Sequence, residues 1–435
     1  MKKTEICSLI INSIKEFIFS PDILEAYRAP KFFVRKRKLS MLNVILFLLH
    51  AGKGALETSI TSVRDLLCDI TDFPKTISKQ AISHARQGIC FSLFYELFNM
   101  STDLFYSHLE HRKDWYGYHL FAIDGSKIEL PNSKSNFDHF GEMFEHHNPE
   151  RKFTQALASI VYDVLDDFII HATFSRFLAS ERSEAVKHMM ELEELGIYED
   201  SVIIFDRGYY SETLFRYCVK HGHLCLMRLK QNYCISRKVA SAGKGGAYEH
   251  IDVLKGDPTE GTEDIKIRVI AVKLSTGEIE YLATNLFDEK ITTEMFRELY
   301  FKRWPVETKY FELKNILHLE EFSGATPNSA MQEFYITLLY SNLASMIKAD
   351  ADAEIQSRCR STNKYRYQAN RTFIIGQFRM HLLEMISGFR ELDYLLVIFE
   401  DACHTRSQIK EGRKFKRDMR KLKNRKHFRN RKLAF

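Results

Sequence analysis

Apolar residues recur at helical spacing over 5–19 and 41–49, and residues 1–110 read as helical throughout. Within them, the segment 59–94 predicts a helix through 63–67, a turn at 72–74 and a second helix capped by Ser78. That pair has the form of a helix-turn-helix. It would offer Lys79, Gln80, Ser83, His84 and Arg86 on an exposed face to a DNA groove. The pattern then changes. HLFAIDGSKIEL (119–130) is an apolar run of strand length that ends in Asp124, with Gly125 next. TQALASIVYDVLDDFIIHATFS predicts two strands around an acidic turn at 163–167. Ser180 caps a helix whose apolar positions are Ala185, Met189, Leu192 and Leu195. SVIIFDRGYY is a further strand that ends in an aspartate, Asp206. Residues 231–288 are rich in Gly and β-formers and predict a small β-domain. Helical periodicity returns at 327–348 and 370–388, with a polar connection over 350–370.

Strand, strand, strand, helix, strand is the order of an open mixed α/β sheet, and such sheets place ligands at the carboxyl ends of their strands. Two aspartates stand at such ends here. A third carboxylate comes from YFKRWPVETKYFELK (300–314), where Tyr300, Arg303, Glu307 and Lys314 lie 3, 7 and 14 positions from the first. At about 100° per residue these four fall within roughly 60° of one helix face. Pro305 predicts a break at residues 304–305 and a new helix that carries Glu307 in its first turn, where an ionised carboxylate is favoured. Carboxylates beside cations suit a site that holds a divalent metal and grips phosphates.

Charge adds a partner. Residues 406–432 hold fourteen Lys or Arg against Glu411 and Asp418, so this segment carries +12 within a chain of net charge +6. A tail this basic points to nucleic acid. Composition excludes other classes. The 435 residues are 45% hydrophobic and 28% charged, as in a soluble globular protein. The eight cysteines show no regular framework, which suits a reducing cytosol and a cytoplasmic location. The first twenty residues form an amphipathic helix broken by Glu5, Asn12, Lys15 and Glu16, not a signal peptide. No apolar run reaches the length of a membrane span, so no membrane association is expected. Cys218, His221, His223 and Cys225 are spaced as zinc ligands can be, but Gly222 divides a helix from a strand there, and ordinary packing is expected. His139, His146 and His147 are read as surface residues of a polar loop.

IDGSKIELP, VIIFDRGYYSETLF with the following LMRLK, and the Tyr300–Arg303–Glu307–Lys314 spacing occur in order over about 115–325. Together they resemble the DDE transposases of bacterial insertion sequences, in the group with a Tyr-Arg-Glu-Lys motif. The resemblance implies a ribonuclease H-like catalytic domain, a mixed sheet flanked by helices, with an inserted β-domain. The expected organisation is a helical N-terminal domain at 1–110, the catalytic domain at 111–230, the insertion at 231–288, the second catalytic part with C-terminal helices at 289–400, and a basic tail at 401–435. It further implies cut-and-paste transposition. Asp124, Asp206 and Glu307 would be the catalytic and metal-binding triad for Mg²⁺, for which Mn²⁺ can substitute. Tyr300, Arg303 and Lys314 would grip DNA phosphates. Trp304 is read either as a residue that stacks on an unpaired base or as a core residue. The implied partners are transposon-end DNA, target DNA and a second copy of the chain, as a homodimer in the synaptic complex. Transposases with a β-insertion between the second Asp and the Glu are associated with a hairpin intermediate. Two rivals stand beside this reading: a two-metal nuclease that cuts without joining, and a non-catalytic DNA-binding inhibitor of transposition.

Overall fold

The computed structural model describes residues 1–35, 39–50, 56–145, 148–242, 248–257, 259, 261–274, 277–359 and 364–409. His146, His147 and nearly all of the basic tail (410–435) lie outside the described residues. The chain divides into two compact units, one made of Met1–Glu110, Lys127–Ala156 and Glu312–Phe435, the other of His111–Ser126 and Leu157–Phe311.

The first unit is helical. Its axis is the 31-residue helix Pro327–Ser357, which starts with Thr326 accepting the Ser329 N–H and with Pro327 in the first turn. Its side chains are buried continuously from Ser329 to Ile347, because helices Lys3–Ile18, Ser92–His108, Arg371–Ser387 and Tyr394–His404 pack around it. The expected helix pair is present as Leu56–Ile70 and Lys79–Ala85, with Phe73 buried in the turn and the Ser78 hydroxyl accepting the Ala81 N–H at 3.2 Å.

The second unit carries the body of an eight-stranded sheet. Its strands are β1 (His119–Glu129), β2 (Gln155–Asp163), β3 (Phe168–Arg176), β4 (Ser201–Phe205), β5 (Leu224–Leu229), β6 (Tyr248–Leu254), β7 (Ile265–Lys273) and β8 (Ile279–Thr284). Their order is β3-β2-β1-β4-β5-β8-β7-β6. β1–β4 and β4–β5 are parallel; β5–β8, β8–β7 and β7–β6 are antiparallel. Helices Glu181–Glu194 and Glu212–Lys220 supply the crossovers that parallel neighbours need. On one face Leu120, Val202, Ile204, Leu226, Ile270 and Leu282 form a core with Phe296, Leu299 and Tyr300 of the helix Met295–Phe301. This is a mixed α/β, ribonuclease H-like fold.

Three local expectations need correction. β1 does not stop at Asp124 but runs on to Glu129, outlasting its β4 neighbour. Among the described residues, the strands of the β-rich segment after Asp206 extend the catalytic sheet: β8 pairs with β5 from Tyr281↔Leu229 to Thr284↔Leu226. Cys234–Ala242, read as part of that β-rich stretch, is a helix. Ile235 and Val239 stand one turn apart on it and are buried, as one apolar face of a helix requires.

Candidate active site

The register of the parallel pair β1–β4 ends with Ile123↔Phe205. Asp124 and Asp206 are each the next residue, so two neighbouring strands deliver their carboxylates at one level of the sheet. A buried hydroxyl braces that edge: Tyr310 Oη lies 2.9 Å from the backbone oxygens of both Asp124 and Ala158. Gly125 keeps the strand close to its surroundings. A Cβ there would meet Leu157 Cδ1 at 3.2 Å and a Glu181 carboxylate oxygen at 3.4 Å.

The third carboxylate comes from the helices after the sheet. Helix Met295–Phe301 ends, residues 302 and 303 turn, and helix Trp304–Asn315 begins with Pro305 in its first turn, as expected. Glu307 lies in that first turn. Tyr300 is anchored by its ring in the core of the sheet face, and its hydroxyl donates to Asp206 Oδ1 at 3.1 Å. Arg303 is only 5% exposed. Its Nη2 donates to Glu307 Oε1 at 2.6 Å, and Nη1 lies 3.9 Å from Asp124 Oδ2. Its buried Nε has no hydrogen-bond partner among the described residues. Asp124, Asp206, Glu307, Tyr300 and Arg303 therefore converge.

The two aspartates are electrostatically unlike. Burial pushes the Asp124 carboxyl up to about 7, against Arg303 and the Gly125 N–H and helped by the Asp206 and Glu307 charges. Burial also raises Asp206, but the Arg207 N–H, Arg303, the Tyr300 hydroxyl and Arg228 outweigh it and hold Asp206 below its ordinary value. Burial opposes the Arg303 charge, yet the hydrogen bond to Glu307 and the neighbouring Tyr300, Asp206 and Asp124 keep its pKa above the usual value. Burial, with Asp206 adding, pushes the Tyr300 phenol up to about 12, so it stays a donor.

The other expected site residues have these surroundings. Lys314, in the helical unit, donates from Nζ to the Lys127 backbone oxygen at 2.6 Å and pairs with Glu320 at 3.3 Å. Trp304 is 54% exposed. Lys79 is exposed and pairs with Glu57 at 2.5 Å. Arg86, expected on the exposed face of the helix pair, is 2% exposed. It follows the helix Lys79–Ala85, and its guanidinium meets Gln332, Ser323, the Ser329 backbone oxygen and the Glu333 carboxylate, so it is a core residue and not a groove contact. Cys218 and His223 are packed, with His223 Nε2 2.7 Å from Glu193, as expected.

A basic group was missed. Arg207, Arg228, Lys230, Gln231 and Asn232 line a cleft of about 530 Å³ together with Glu278, Ile279 and Glu280. Arg228 reaches from β5 to within 3.9 Å of Asp206 and pairs with Glu280 at 2.5 Å. The sequence signal was LMRLK itself, in which Arg228 points toward the carboxylate end of the neighbouring strand.

A donor set of carboxylate oxygens has the chemistry of a Mg²⁺ or Mn²⁺ site. Among the described residues, however, no three such groups are gathered closely enough to hold an ion. A guanidinium bridges Asp124 and Glu307 instead. Among the described residues, no helix is long and apolar enough to cross a membrane.

Two adjacent parallel strands thus carry aspartates at matching levels, one within β1 and one just after β4, and a helix supplies a glutamate. The Transposase DDE domain family matches residues 115–343, more than half of the chain, and the protein belongs to that family. Among solved structures it is similar to a piggyBac transposase in a synaptic complex with hairpin DNA, at 10% identity and a TM-score of 0.50, with 93% of this chain and 85% of that one covered. That likeness is one of fold. No curated protein sequence matches.

Proposed function

We propose that this protein is a cut-and-paste DNA transposase of the insertion-sequence group with the Tyr-Arg-Glu-Lys motif. The observation that carries the reading is the convergence of Asp124, Asp206 and Glu307 with Tyr300 and Arg303 at one edge of the sheet. Asp124, Asp206 and Glu307 would hold the divalent ions. Bound there, two ions supply activation of the attacking oxygen and stabilisation of the leaving one.

The chain's own residues do the rest. Tyr300 and Arg303 present an O–H and a guanidinium to the phosphates of the element's end. Lys314, in the helical unit, is a further proposed phosphate contact. Water attacks the phosphodiester at the end and frees a 3′-OH, and that hydroxyl then attacks target DNA, releasing a target 3′-OH. No covalent link to the protein forms, so no Ser or Tyr nucleophile is needed. The exposed residues Lys79, Gln80, Ser83 and His84 are the proposed contacts to end DNA, and two copies of the chain hold two ends. The second strand is cut through a hairpin: the freed 3′-OH attacks the opposite strand, and water later opens the closed end. The solved piggyBac complex contains hairpin DNA, and Trp304 is exposed enough to stack on the base that such a bend displaces.

The test is incubation of the purified protein with end-labelled element DNA, a second duplex and Mg²⁺. The expected products are a nick, a transient closed end and a joined strand. Cleavage without joining would make the protein a nuclease. End binding with neither product would make it a non-catalytic inhibitor.

A further inference from the structure

The counter-ion inside the carboxylate cluster is part of the protein itself. Arg303 is nearly fully buried. It holds Glu307 at 2.6 Å through Nη2 and stands 3.9 Å from Asp124 through Nη1. Meanwhile Nε, equally buried, donates to nothing among the described residues. A buried guanidinium with one arm engaged, one loosely placed and one donor idle is incompletely satisfied. The residue sits in the two-residue turn between helices Met295–Phe301 and Trp304–Asn315. Among the described residues, no three carboxylates around it are gathered to hold an ion.

We infer that Arg303 is a displaceable placeholder for the divalent ions: it neutralises Glu307 and Asp124 when no metal is bound, and must leave them when metal binds. This rests on the assignment of Asp124, Asp206 and Glu307 as the metal-binding carboxylates. Two consequences follow from charge alone. A guanidinium and a divalent cation compete for the same oxygens, so Arg303 weakens metal binding in the DNA-free protein. Once released, the guanidinium repels the ions and its five donors are free, which turns it toward the only anion that the reaction brings, a DNA phosphate. Metal loading and phosphate grip are thereby coupled through one side chain.

The experiment measures Mn²⁺ affinity of the full chain without DNA, by electron paramagnetic resonance of free Mn²⁺ and by calorimetry. Wild type is compared with Arg303→Ala, Arg303→Met, Arg303→Lys and Asp124→Asn, with folding checked by circular dichroism. Arg303→Ala and Arg303→Met should bind Mn²⁺ roughly ten- to a hundredfold more tightly, the scale set by removing one unit charge at contact distance from a partly buried site. Arg303→Lys, which keeps the charge on a narrower head, should stay within a few fold of wild type. A second readout is modification of Arg303 by phenylglyoxal, located by mass spectrometry: the buried residue should be protected without metal and react when Mn²⁺ is added. Unchanged or weaker Mn²⁺ binding in both folded neutral variants would overturn the placeholder. Asp124→Asn should lose tight Mn²⁺ binding; if it binds as wild type does, the carboxylate assignment itself fails, which is a separate result from an unchanged Arg303 series.

Discussion

Two arginines read alike in the sequence and stand in opposite situations in the fold. Arg86, in the helical unit, has a partner on every nitrogen: Nε meets Gln332 at 3.1 Å, Nη1 meets Ser323 and Glu333, and Nη2 meets the Ser329 backbone oxygen, four of its five donors engaged. Arg303, in the sheet unit, is also buried but less satisfied, with no partner for Nε among the described residues and a long approach to Asp124. A buried charge that is fully hydrogen-bonded and paired is a fixed part of the core. One that is left short of partners is paid for elsewhere and is available for chemistry. The same residue type thus serves architecture in one unit and the site in the other, and the number of satisfied donors tells them apart.

The largest expected effect breaks the architectural side. Arg86→Met should destabilise the protein by about 3–5 kcal/mol, because it removes the Arg86 charge that pairs with the Glu333 carboxylate, 9% exposed. Urea unfolding measures the loss, and nicking per folded molecule should not change. A loss under about 1 kcal/mol would erase the contrast.

On the chemical side, Arg303→Met should cost about 10²–10³-fold in nicking rate, the usual penalty for removing one preorganised charged donor. Its effect on unfolding should be small, since the Glu307 side chain is 34% exposed and water can replace the lost partner. Equal losses of stability from both arginines would mean that satisfaction of donors does not separate their roles.

A buried histidine pair sharpens the comparison with a second architectural case. His171 Nδ1 and His188 Nδ1 are 3.0 Å apart, and His188 Nε2 is 2.9 Å from Ser159 Oγ. Burial holds His171 down to about 4 and His188 well below its ordinary value. Protons bind the unfolded chain first as the pH falls below about 6.5, so stability present at pH 7 is lost between there and the folded values. The loss from His171 between pH 7 and 5 should be about 2 kcal/mol, with His188 adding in the same direction. It should shrink in His188→Gln, as read from urea midpoints at the two pH values. A pH slope identical in wild type and variant would show that the pair does not carry it.

The smallest effect concerns Trp304. At 54% exposure it contributes little to the core, and Trp304→Ala should leave unfolding unchanged. It should slow appearance of the closed DNA end by an amount equivalent to about 1–3 kcal/mol, one lost base stack. Hairpin formation at the wild-type rate would assign the stacking to another residue.

How much of this was legible depended on whether the relevant contact was local. Asp124 and Asp206 could be found because each ends an apolar strand-length run, and Pro305 announced the helix start that carries Glu307. The helix pair at 56–85 was visible in Ser78 and the buried turn residue Phe73. Arg86 was misplaced because its partners, Gln332 and Glu333, lie more than 240 residues away and nothing near Arg86 announces them. The continuity of the sheet was hidden for the same reason: it rests on the pairing of β8 with β5, and β-pattern alone does not say which strand is the neighbour. The helix Cys234–Ala242 was masked by the glycines that follow it, although Ile235 and Val239 carried its spacing.

The most direct test of the triad is nicking of labelled element-end DNA by Asp124→Asn, Asp206→Asn and Glu307→Gln, run beside a gel shift with the same DNA. Each variant should lose Mg²⁺-dependent nicking by at least about three orders of magnitude and keep end binding within a few fold, because these carboxylates serve metal and not DNA. Nicking at the wild-type rate by any one of them would remove that residue from the site and contradict the assignment.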